Sequence, residues 1–384
     1  MEKIVISDLK LGILGGGQLG KMLALAASSW DVKTYILDEG EDMPAAKVCY
    51  EFRQGDFKDY ETVFKFGKPL DLLTVEIESV NIEALEALER QGLRVYPSSS
   101  VLKIIQDKGL QNEFLASNGF PKSEFSLYEN KEAVLRALNA GEIKLPFVQK
   151  LRRFGYDGRG VKVLREQKDL ELLFEEPSLV EECVNISKEI SVMAARNEHG
   201  EVVVYPPVEM VFNSKANLLE YLFCPAALEP ALSNESEALA KRIIEKLGLV
   251  GVLAVELFLD GDNRLWVNEL APRPHNSGHH TIESCITSQY EQHLRGIFNF
   301  PLGSTRLKMP SVMVNLLGEP GYQGPVRYEG LTECMAIEGV KIHIYGKKET
   351  RPFRKMGHVT ILDHDLERAK VKAQNVLKKL KVVA

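Results

Sequence analysis

The chain has 384 residues, 45% hydrophobic and 27% charged, a globular composition long enough for two or three cores. Its formal net charge of −6 leaves no basic footprint, so nucleic acid is excluded as an expected partner. No run of about 18 apolar residues is present, so no membrane span is expected. The five scattered cysteines form no CxxC pair, and the N-terminus shows no basic segment followed by a long apolar core. A cytoplasmic protein with reduced thiols and no signal peptide is therefore expected.

Residues 11–30, LGILGGGQLGKMLALAASSW, predict a short apolar strand, a glycine turn and an amphipathic helix. Gly15, Gly17 and Gly20 satisfy GxGxxG, and a strand over 32–38 ends in Asp38, the dinucleotide-binding pattern with its acidic residue. The physics of such a turn is only that it delivers backbone N–H groups to an anion at a helix N-terminus, and a ribose phosphate is as suitable as a pyrophosphate. Gln18 also places an amide where a dinucleotide site needs small residues. The strand predicted over 72–81 carries Glu76 and Glu78 near its C-terminal end, the edge where open α/β sheets bind ligands. A helix and a last strand ending in Pro97-Ser98 then close a first domain near residue 106.

A helix follows within 106–125, stopped by Gly119 and Pro121, with Lys108 near its start. Lys150 interrupts the apolar strand over 144–151, as an edge residue or as a phosphate ligand. In RRFGYDGRGVKVL (152–164), Gly155, Gly158 and Gly160 let a loop lie over a phosphate tail, with Tyr156, Asp157 and Arg159 projecting from it. Residues 178–197 read as strand, acidic break, strand. Glu181, Glu182, Cys183 and Val184 could hold a purine by backbone hydrogen bonds, and Glu189 could take ribose hydroxyls.

The stretch VELFLDGDNRLWVNELAP (255–272) predicts a hairpin about the turn Gly261-Asp262-Asn263-Arg264. Symmetric pairing sets Asp260 opposite Leu265, Phe258 opposite Val267 and Glu256 opposite Glu269. Two like charges facing each other on an apolar surface repel and are costly to desolvate. A divalent cation between them reverses the sign, and a few hard oxygen ligands suit Mg²⁺. A register slip that turns one Glu to solvent is the alternative. The loop PRPHNSGHHTIE (272–283) follows, where Arg273, His275, Asn276 and Ser277 offer donors and acceptors to a phosphate or sugar. Zinc on His275, His279 and His280 is the weaker reading, since no Cys is nearby and adjacent His do not readily share one tetrahedral ion. A third, small domain of strands opens at 311–318. Its segment 343–363 concentrates Lys347, Lys348, Arg351, Arg354, Lys355 and His358, either a solvated face or a fixed loop reaching an anion. A basic amphipathic helix within 365–384 is expected to pack on that domain.

The segments GGGQLG (15–20), EIESVN (76–81), GYDGRG (155–160), NELAPRPHNSGHHT (268–281) and RPFRKMGH (351–358) together resemble the ATP-grasp superfamily, and within it the 5-(carboxyamino)imidazole ribonucleotide synthase family. The resemblance spans about residues 10–362. It implies an α/β (α+β) ATP-grasp fold: a Rossmann-like pre-ATP-grasp domain over 1–106, an ATP-grasp domain over 107–305 with a lid subdomain at about 118–184, and a small β-rich C-terminal domain over 306–384. It also implies ATP- and bicarbonate-dependent carboxylation of 5-aminoimidazole ribonucleotide, through carboxyphosphate, by a cytoplasmic homodimer. By the same resemblance ATP meets Lys108, Lys150, the loop Gly155, Tyr156, Asp157, Gly158, Arg159, Gly160 and Val161, the segment Glu181, Glu182, Cys183 and Val184, and Glu189, Asn268 and Glu269. Mg²⁺ falls to Glu256 and Glu269. The ribonucleotide falls to Gln18, Leu19, Glu76, Tyr156, Arg273, His275, Asn276, Lys348, Arg351 and Lys355, and catalysis to Asp157, Arg159, Lys348 and Arg354. Two departures stand out: Lys108 replaces a family Arg, and Phe212 falls where the family has a His. A nicotinamide-dependent dehydrogenase would explain only 15–38. A formate-using glycinamide ribonucleotide transformylase of the same fold would share the ATP residues, and a non-catalytic nucleotide-binding protein would have no use for Glu256, Glu269 and Lys150.

Overall fold

The computed structural model describes residues 6–153, 160–213 and 218–384. The chain begins with β1 (Lys10–Leu14), α1 (Gln18–Ser28), β2 (Lys33–Asp38), β3 (Glu51–Gln54), α2 (Tyr60–Gly67), β4 (Leu72–Val75), α3 (Ile82–Arg90) and β5 (Arg94–Tyr96). Its strands pair in parallel in the order β3-β2-β1-β4-β5. Alternate residues of β1 serve two cores. Leu11 and Ile13 pack with Leu23 of α1, whereas Leu14 joins Val63, Phe66, Leu85 and Leu88 of α2 and α3. A sheet buried on both faces gives the apolar runs seen in the sequence. Strand β4 stops at Val75, short of the predicted end at residue 81. Asn81 caps α3 by accepting the Ala84 N–H, so the stretch between them is an irregular loop at the sheet's C-terminal edge.

Helices α4 (Ser99–Gln106) and α5 (Lys108–Ser117) meet at Asp107, whose carboxylate accepts the N–H groups of Gly109 and Leu110. A four-stranded antiparallel sheet follows in the stretch expected to form the lid, built from β6 (Phe125–Tyr128), β7 (Phe147–Leu151), β8 (Val161–Leu164) and β9 (Ser178–Glu182), with α6 (Lys131–Asn139) over its small core.

The large sheet starts with β10 (Ile186–Arg196), β11 (Val202–Val204), β12 (Val208–Asn213) and β13 (Leu218–Cys224), crosses to α7 (Pro230–Leu247), and returns as β14 (Gly251–Asp260) and β15 (Leu265–Ala271). After α8 (Thr281–Ser284) and α9 (Gln289–Ile297) come β16 (Ser311–Leu317), β17 (Gly324–Pro325), β18 (Arg327–Glu329), α10 (Leu331–Met335), β19 (Val340–Ile344), β20 (Glu349–Thr350), β21 (Lys355–Leu362), α11 (Leu366–Lys379) and β22 (Lys381–Val383). The order β15-β14-β10-β12-β13-β16-β21-β19 makes one nine-stranded sheet with β11 on β10, so the C-terminal strands continue the large sheet edge to edge. Helix α11 packs there through Ala369, Ala373 and Val376.

Alternation along β10 and β14 sorts the large sheet into two faces. Ile190, Val192, Val255 and Leu257 pack under Leu239, Ile243 and Ile244 of α7, which leaves Ser191 and Glu256 on the opposite face. The hairpin is not symmetric. Leu259 pairs with Leu265, Phe258 with Trp266 and Leu257 with Val267. A bulge at Asn268 then brings Glu256 opposite Glu269. The expected Phe258–Val267 and Asp260–Leu265 pairs are therefore displaced by one residue, because the turn closes earlier. Asp260 accepts the N–H groups of Asp262 and Arg264 and the indole N–H of Trp266, while Asn263 takes φ 61°. The bulge restores the register at the one pair of carboxylates. No helix among the described residues is long and apolar enough to cross a membrane.

Leu257 is fully buried beneath α7. Leu257→Ala is expected to cost about 2–5 kcal/mol through lost transfer and a residual cavity, read as a lower urea midpoint at unchanged slope.

Candidate functional site

Four groups of side chains converge on the carboxylate face of the hairpin and on the first domain's sheet edge. At that edge the glycine turn is already filled by carboxylates. The Gly16 N–H donates to Asp38 Oδ2 at 2.6 Å, and the Gly17 and Gly20 N–H groups donate to Glu76 at 2.9 and 3.1 Å. A Cβ on Gly15 or Gly17 would lie within 2.8 Å of the Glu76 side chain. The GxGxxG spacing therefore accommodates Glu76, and those N–H groups are not free for a pyrophosphate. Asp38, the acidic residue of the dinucleotide pattern, is a turn acceptor here. Burial pushes the Glu76 carboxyl up to about 7, although the two turn N–H groups favour its charged form. Beside it, Arg273 pairs with Glu78 at 2.8 Å, and its Nε is buried without a partner. Gln18 is half-buried at the start of α1, whereas the Leu19 side chain sits in the core. What Leu19 can offer a ligand is its backbone.

On the large sheet, Ser191, Glu256 and Glu269 form a row across β10, β14 and β15. Burial, then Glu269 and Glu189, push the Glu256 carboxyl up to about 7. Burial would raise Glu269 too, but the Lys108 ammonium 2.6 Å away holds it low. Glu189, two residues before Ser191, is raised to about 7 by burial. The bulged Asn268 donates to Glu256 at 3.4 Å and accepts from Lys150 at 3.0 Å. These carboxylates lack charge balance: Lys108 supplies one cation and Glu256 is left to its neighbours. Two facing carboxylates, one already drawing an ammonium, are a donor set suited to a hard divalent cation.

Lys150 also belongs to a buried cluster. Glu181 takes Lys150 on one oxygen at 2.9 Å and Lys122 and Asn112 on the other at 2.7 and 2.9 Å. Burial alone would raise the Glu181 carboxyl, but Lys150 and Lys122 bring it to about 2. The Lys122 ammonium, with its side chain 4% exposed, is lowered to about 8 by burial against the pull of Glu181. The Glu181 side chain is so engaged, and its backbone pairs along β9 with Phe125 and Val148. Glu182 is exposed, and Cys183 and Val184 are half-exposed beyond it. Lys122 was not legible from the sequence, where it follows Pro121 in what reads as a helix stop. Its one signal is a charge set between Phe120-Pro121 and a strand.

The glycine loop is anchored at its base. Arg152 makes two hydrogen bonds to Asp107 at 3.0 and 2.9 Å, Arg153 adds one at 3.4 Å, and the Leu151 N–H donates to Gly160, which takes φ 84° before Val161 opens β8. Gly155, Tyr156, Asp157, Gly158 and Arg159 lie outside the described residues. Phe212, on β12, packs on the cluster of Val208, Met210 and Leu222.

The basic segment divides. Lys348 is exposed and pairs with Asp42 of the first domain at 2.6 Å. Arg354 donates to the Glu349 carbonyl at 2.7 Å, Arg351 is exposed, and Lys355 is half-buried at the start of β21. His358 is not part of a solvated charge run: it is fully buried, stacked between His279 and His343 at 4.6 and 4.4 Å. Burial pulls His279 and His358 far below the usual imidazole range and His280 to about 4. Of the loop histidines, His275 faces the carboxylates, with Nε2 3.7 Å from Glu256. Asn276 exchanges hydrogen bonds with Asn315 of β16 at 2.9 and 3.2 Å.

Known proteins share this architecture. Family models match a ribonucleotide synthetase preATP-grasp domain over residues 9–106, an ATP-grasp domain over 113–290 and a phosphoribosylaminoimidazole carboxylase C-terminal domain over 311–372. The N5-carboxyaminoimidazole ribonucleotide synthase of Bacillus subtilis is 36% identical over 365 residues, covering 94% of this chain and 93% of that protein. The chloroplastic phosphoribosylaminoimidazole carboxylase of Vigna aconitifolia is 37% identical over 370 residues and 94% of this chain, which spans 65% of that longer protein. The crystal structure of the N5-carboxyaminoimidazole ribonucleotide synthetase from Thermotoga maritima superposes with a TM-score of 0.90 at 45% identity, over 98% of this chain and 99% of that one. The synthase from Aspergillus clavatus in complex with ADP and 5-aminoimidazole ribonucleotide gives 0.88 at 29% identity, over 97% and 99%. The three domain matches in order, with the Bacillus relative aligned nearly end to end, make this chain a member of the N5-carboxyaminoimidazole ribonucleotide synthase family of ATP-grasp enzymes.

Proposed function

We propose that the protein carboxylates 5-aminoimidazole ribonucleotide with ATP and bicarbonate, releasing ADP and phosphate and forming 5-(carboxyamino)imidazole ribonucleotide in purine biosynthesis. The observation that carries this reading is the Glu256–Glu269 pair set opposite each other by the Asn268 bulge, with Lys108 and Lys150 at its edge. The names of the relatives, and the ADP and ribonucleotide held by the Aspergillus structure, support the choice of substrates.

In this reading ATP lies between the lid and the large sheet. The backbone of Glu181–Val184 holds adenine, Glu189 takes the ribose, and Lys108 and Lys150 meet the phosphates as point charges. Glu256 and Glu269 hold Mg²⁺, which when bound neutralises phosphate charge. Residues 155–161 cover the phosphates, with Asn268 beside them. Gln18, the Leu19 backbone, Glu76, Arg273, His275 and Asn276 receive the ribonucleotide, with Tyr156 from the loop. Lys348, Arg351 and Lys355 take its phosphate. Lys348 then exchanges Asp42 for phosphate, and giving up an exposed pair costs little. A bicarbonate oxygen attacks the γ-phosphorus and ADP leaves, giving carboxyphosphate. The exocyclic amine attacks the carboxyl carbon, or CO₂ released from it, and phosphate departs. Asp157 takes the amine proton, while Arg159 and Arg354 stabilise the departing charge. Positioning and exclusion of water are the protein's share. The five free cysteines support a reducing cytoplasm as its location, and the homodimer is carried over from the family resemblance.

The direct test is ADP release with Mg-ATP, ribonucleotide and bicarbonate, each omitted in turn. Release should require the ribonucleotide and fall when bicarbonate is depleted. Turnover of glycinamide ribonucleotide with formate would instead select the transformylase.

Three variants probe the assignments. Glu269→Gln should lower ADP release about a hundredfold or more, since losing a ligand costs at least what losing its supporting partner does. Wild-type ADP release from this variant would remove Glu269 from the metal site. Glu181→Gln leaves Lys122 and Lys150 buried without their counter-ion and should destabilise the fold by about 3–5 kcal/mol, measured by denaturant unfolding. Protons compete with Mg²⁺ at Glu256, whose carboxyl stands at about 7. The apparent Mg²⁺ affinity should therefore be flat above that pH and fall about tenfold per unit below it. Glu189→Gln removes a negative neighbour and should shift that break to lower pH; an unmoved break would contradict the coupling.

A further inference from the structure

Lys122 has no task in the reaction as proposed, yet it is buried in the cluster that holds Lys150. Its segment is fixed at both ends. The Pro121 carbonyl accepts the Val267 N–H of β15 at 2.8 Å, one residue before the bulge, and the Glu124 carbonyl accepts the Glu182 N–H at 3.0 Å. Between these anchors the Lys122 ammonium reaches Glu181 Oε1 at 2.7 Å and Ser123 Oγ at 3.2 Å. Asn112, buried on α5, donates to the same Oε1 at 2.9 Å. Lys150 comes to the other oxygen, Oε2, at 2.9 Å.

The charges do not cancel. One carboxylate faces two ammonium groups, so the cluster carries one positive charge in excess. Lys108, by contrast, is matched one to one by Glu269 at 2.6 Å. Lys122 is the more enclosed of the two, its side chain 4% exposed against 10% for Lys150. Lys150 reaches the carboxylate side, where its second contact is the neutral Asn268 amide at 3.0 Å. Among the described residues these two acceptors leave one of its three ammonium hydrogens for a ligand. Without Lys122, Lys150 would be the one counter-ion left to Glu181. The pair would then present no net charge to a polyanion, and in a poorly solvated site that difference is strongly felt.

We infer that Lys122 is a positioning residue for ATP that acts without touching the nucleotide: its ammonium neutralises Glu181, which leaves the charge of Lys150 to the triphosphate. The inference deepens the carboxylase reading and rests on it for the presence of ATP beside Lys150.

The test is equilibrium titration with Mg-ATP and, separately, with adenosine, without ribonucleotide or bicarbonate. It is run at pH 7, below the value of about 8 to which burial lowers Lys122. Lys122→Met fills similar space without the charge and should weaken ATP about tenfold, the scale of one charge at a partly screened site. Adenosine carries no phosphate, so its affinity should stay at the wild-type value. Lys122→Gln keeps a donor but no charge. It should show the same loss, and it serves if the Met variant does not fold. Adding Glu181→Gln to either variant removes the charge that holds Lys150 and should restore ATP binding, a rescue that a packing role would not give. Wild-type ATP affinity in folded Lys122→Met or Lys122→Gln would overturn the inference, as would equal losses for ATP and adenosine, or a double variant as weak as the single. If wild type binds ATP but releases ADP without needing the ribonucleotide, the carboxylase reading alone fails. Wild type that binds no ATP would overturn both.

Discussion

Two facing carboxylates served by a single ammonium, that of Lys108 on Glu269, are the constraint around which the rest of the site is arranged. Glu256 and Glu269 would repel in any regular hairpin. Here the Asn268 bulge turns what would be a one-residue mismatch into direct opposition, and the same bulge places the Asn268 amide between Glu256 and Lys150. Lys108, at the start of α5, reaches back to Glu269, so the helix that opens the ATP-grasp domain is tied to the hairpin by charge. Burial, and then the like charges of Glu269 and Glu189, raise Glu256, and a divalent cation would offset both. A site that is electrostatically unfavourable when empty is what binding by charge compensation requires.

Lys150 joins this centre to a second, drier one. It touches Asn268 on one side and Glu181 on the other, and Glu181 also takes Lys122 and Asn112. Breaking one member of such a cluster strands the others in a medium that penalises unpaired charge. The pairings span α5, the lid strands and the hairpin, so they fix the lid's base relative to the large sheet while the glycine loop is anchored separately through Arg152 and Asp107. Nucleotide charge would enter an array of ammonium groups already held at defined positions, and preorganisation of that kind is where electrostatic catalysis gains most.

Much of this was legible because local patterns agree with the global fold. The βα units of the first domain follow from periodicity and turn chemistry, and Glu256 and Glu269 face each other as expected, although through a bulge that the symmetric register did not include. The misses have physical reasons. GxGxxG is satisfied by a turn that packs on Glu76, and a carboxylate filling backbone N–H groups leaves the same spacing as a phosphate would. The Phe258–Val267 register failed because bulges and early turn closure carry little sequence signal. Lys122 lies far from Glu181 in sequence, and only tertiary packing brings the two together. His358 reads as one more charge in a basic run, yet it is a core residue between two other imidazoles.

The C-terminal strands show how all three domains come together at the proposed ribonucleotide side of the site. They extend the large sheet through β13 and β16, so residues 311–362 are registered to the hairpin by backbone pairing and do not hang from a linker. Side chains then cross the remaining gaps. Asn315 holds Asn276, His358 stacks on His279, Lys21 of α1 donates to the Ile344 and Tyr345 carbonyls, and Lys348 reaches Asp42. The loop over 272–283 sits at the junction, clamped by Gln289 from one side and by β16 and β21 from the other. Its exposed face is the one that carries Arg273 and His275 toward Glu78 and Glu256. A loop buttressed on two domains and aimed at a third can hold a small polar substrate against the carboxylates with little left to reorganise on binding, and low reorganisation is what positioning a labile intermediate demands.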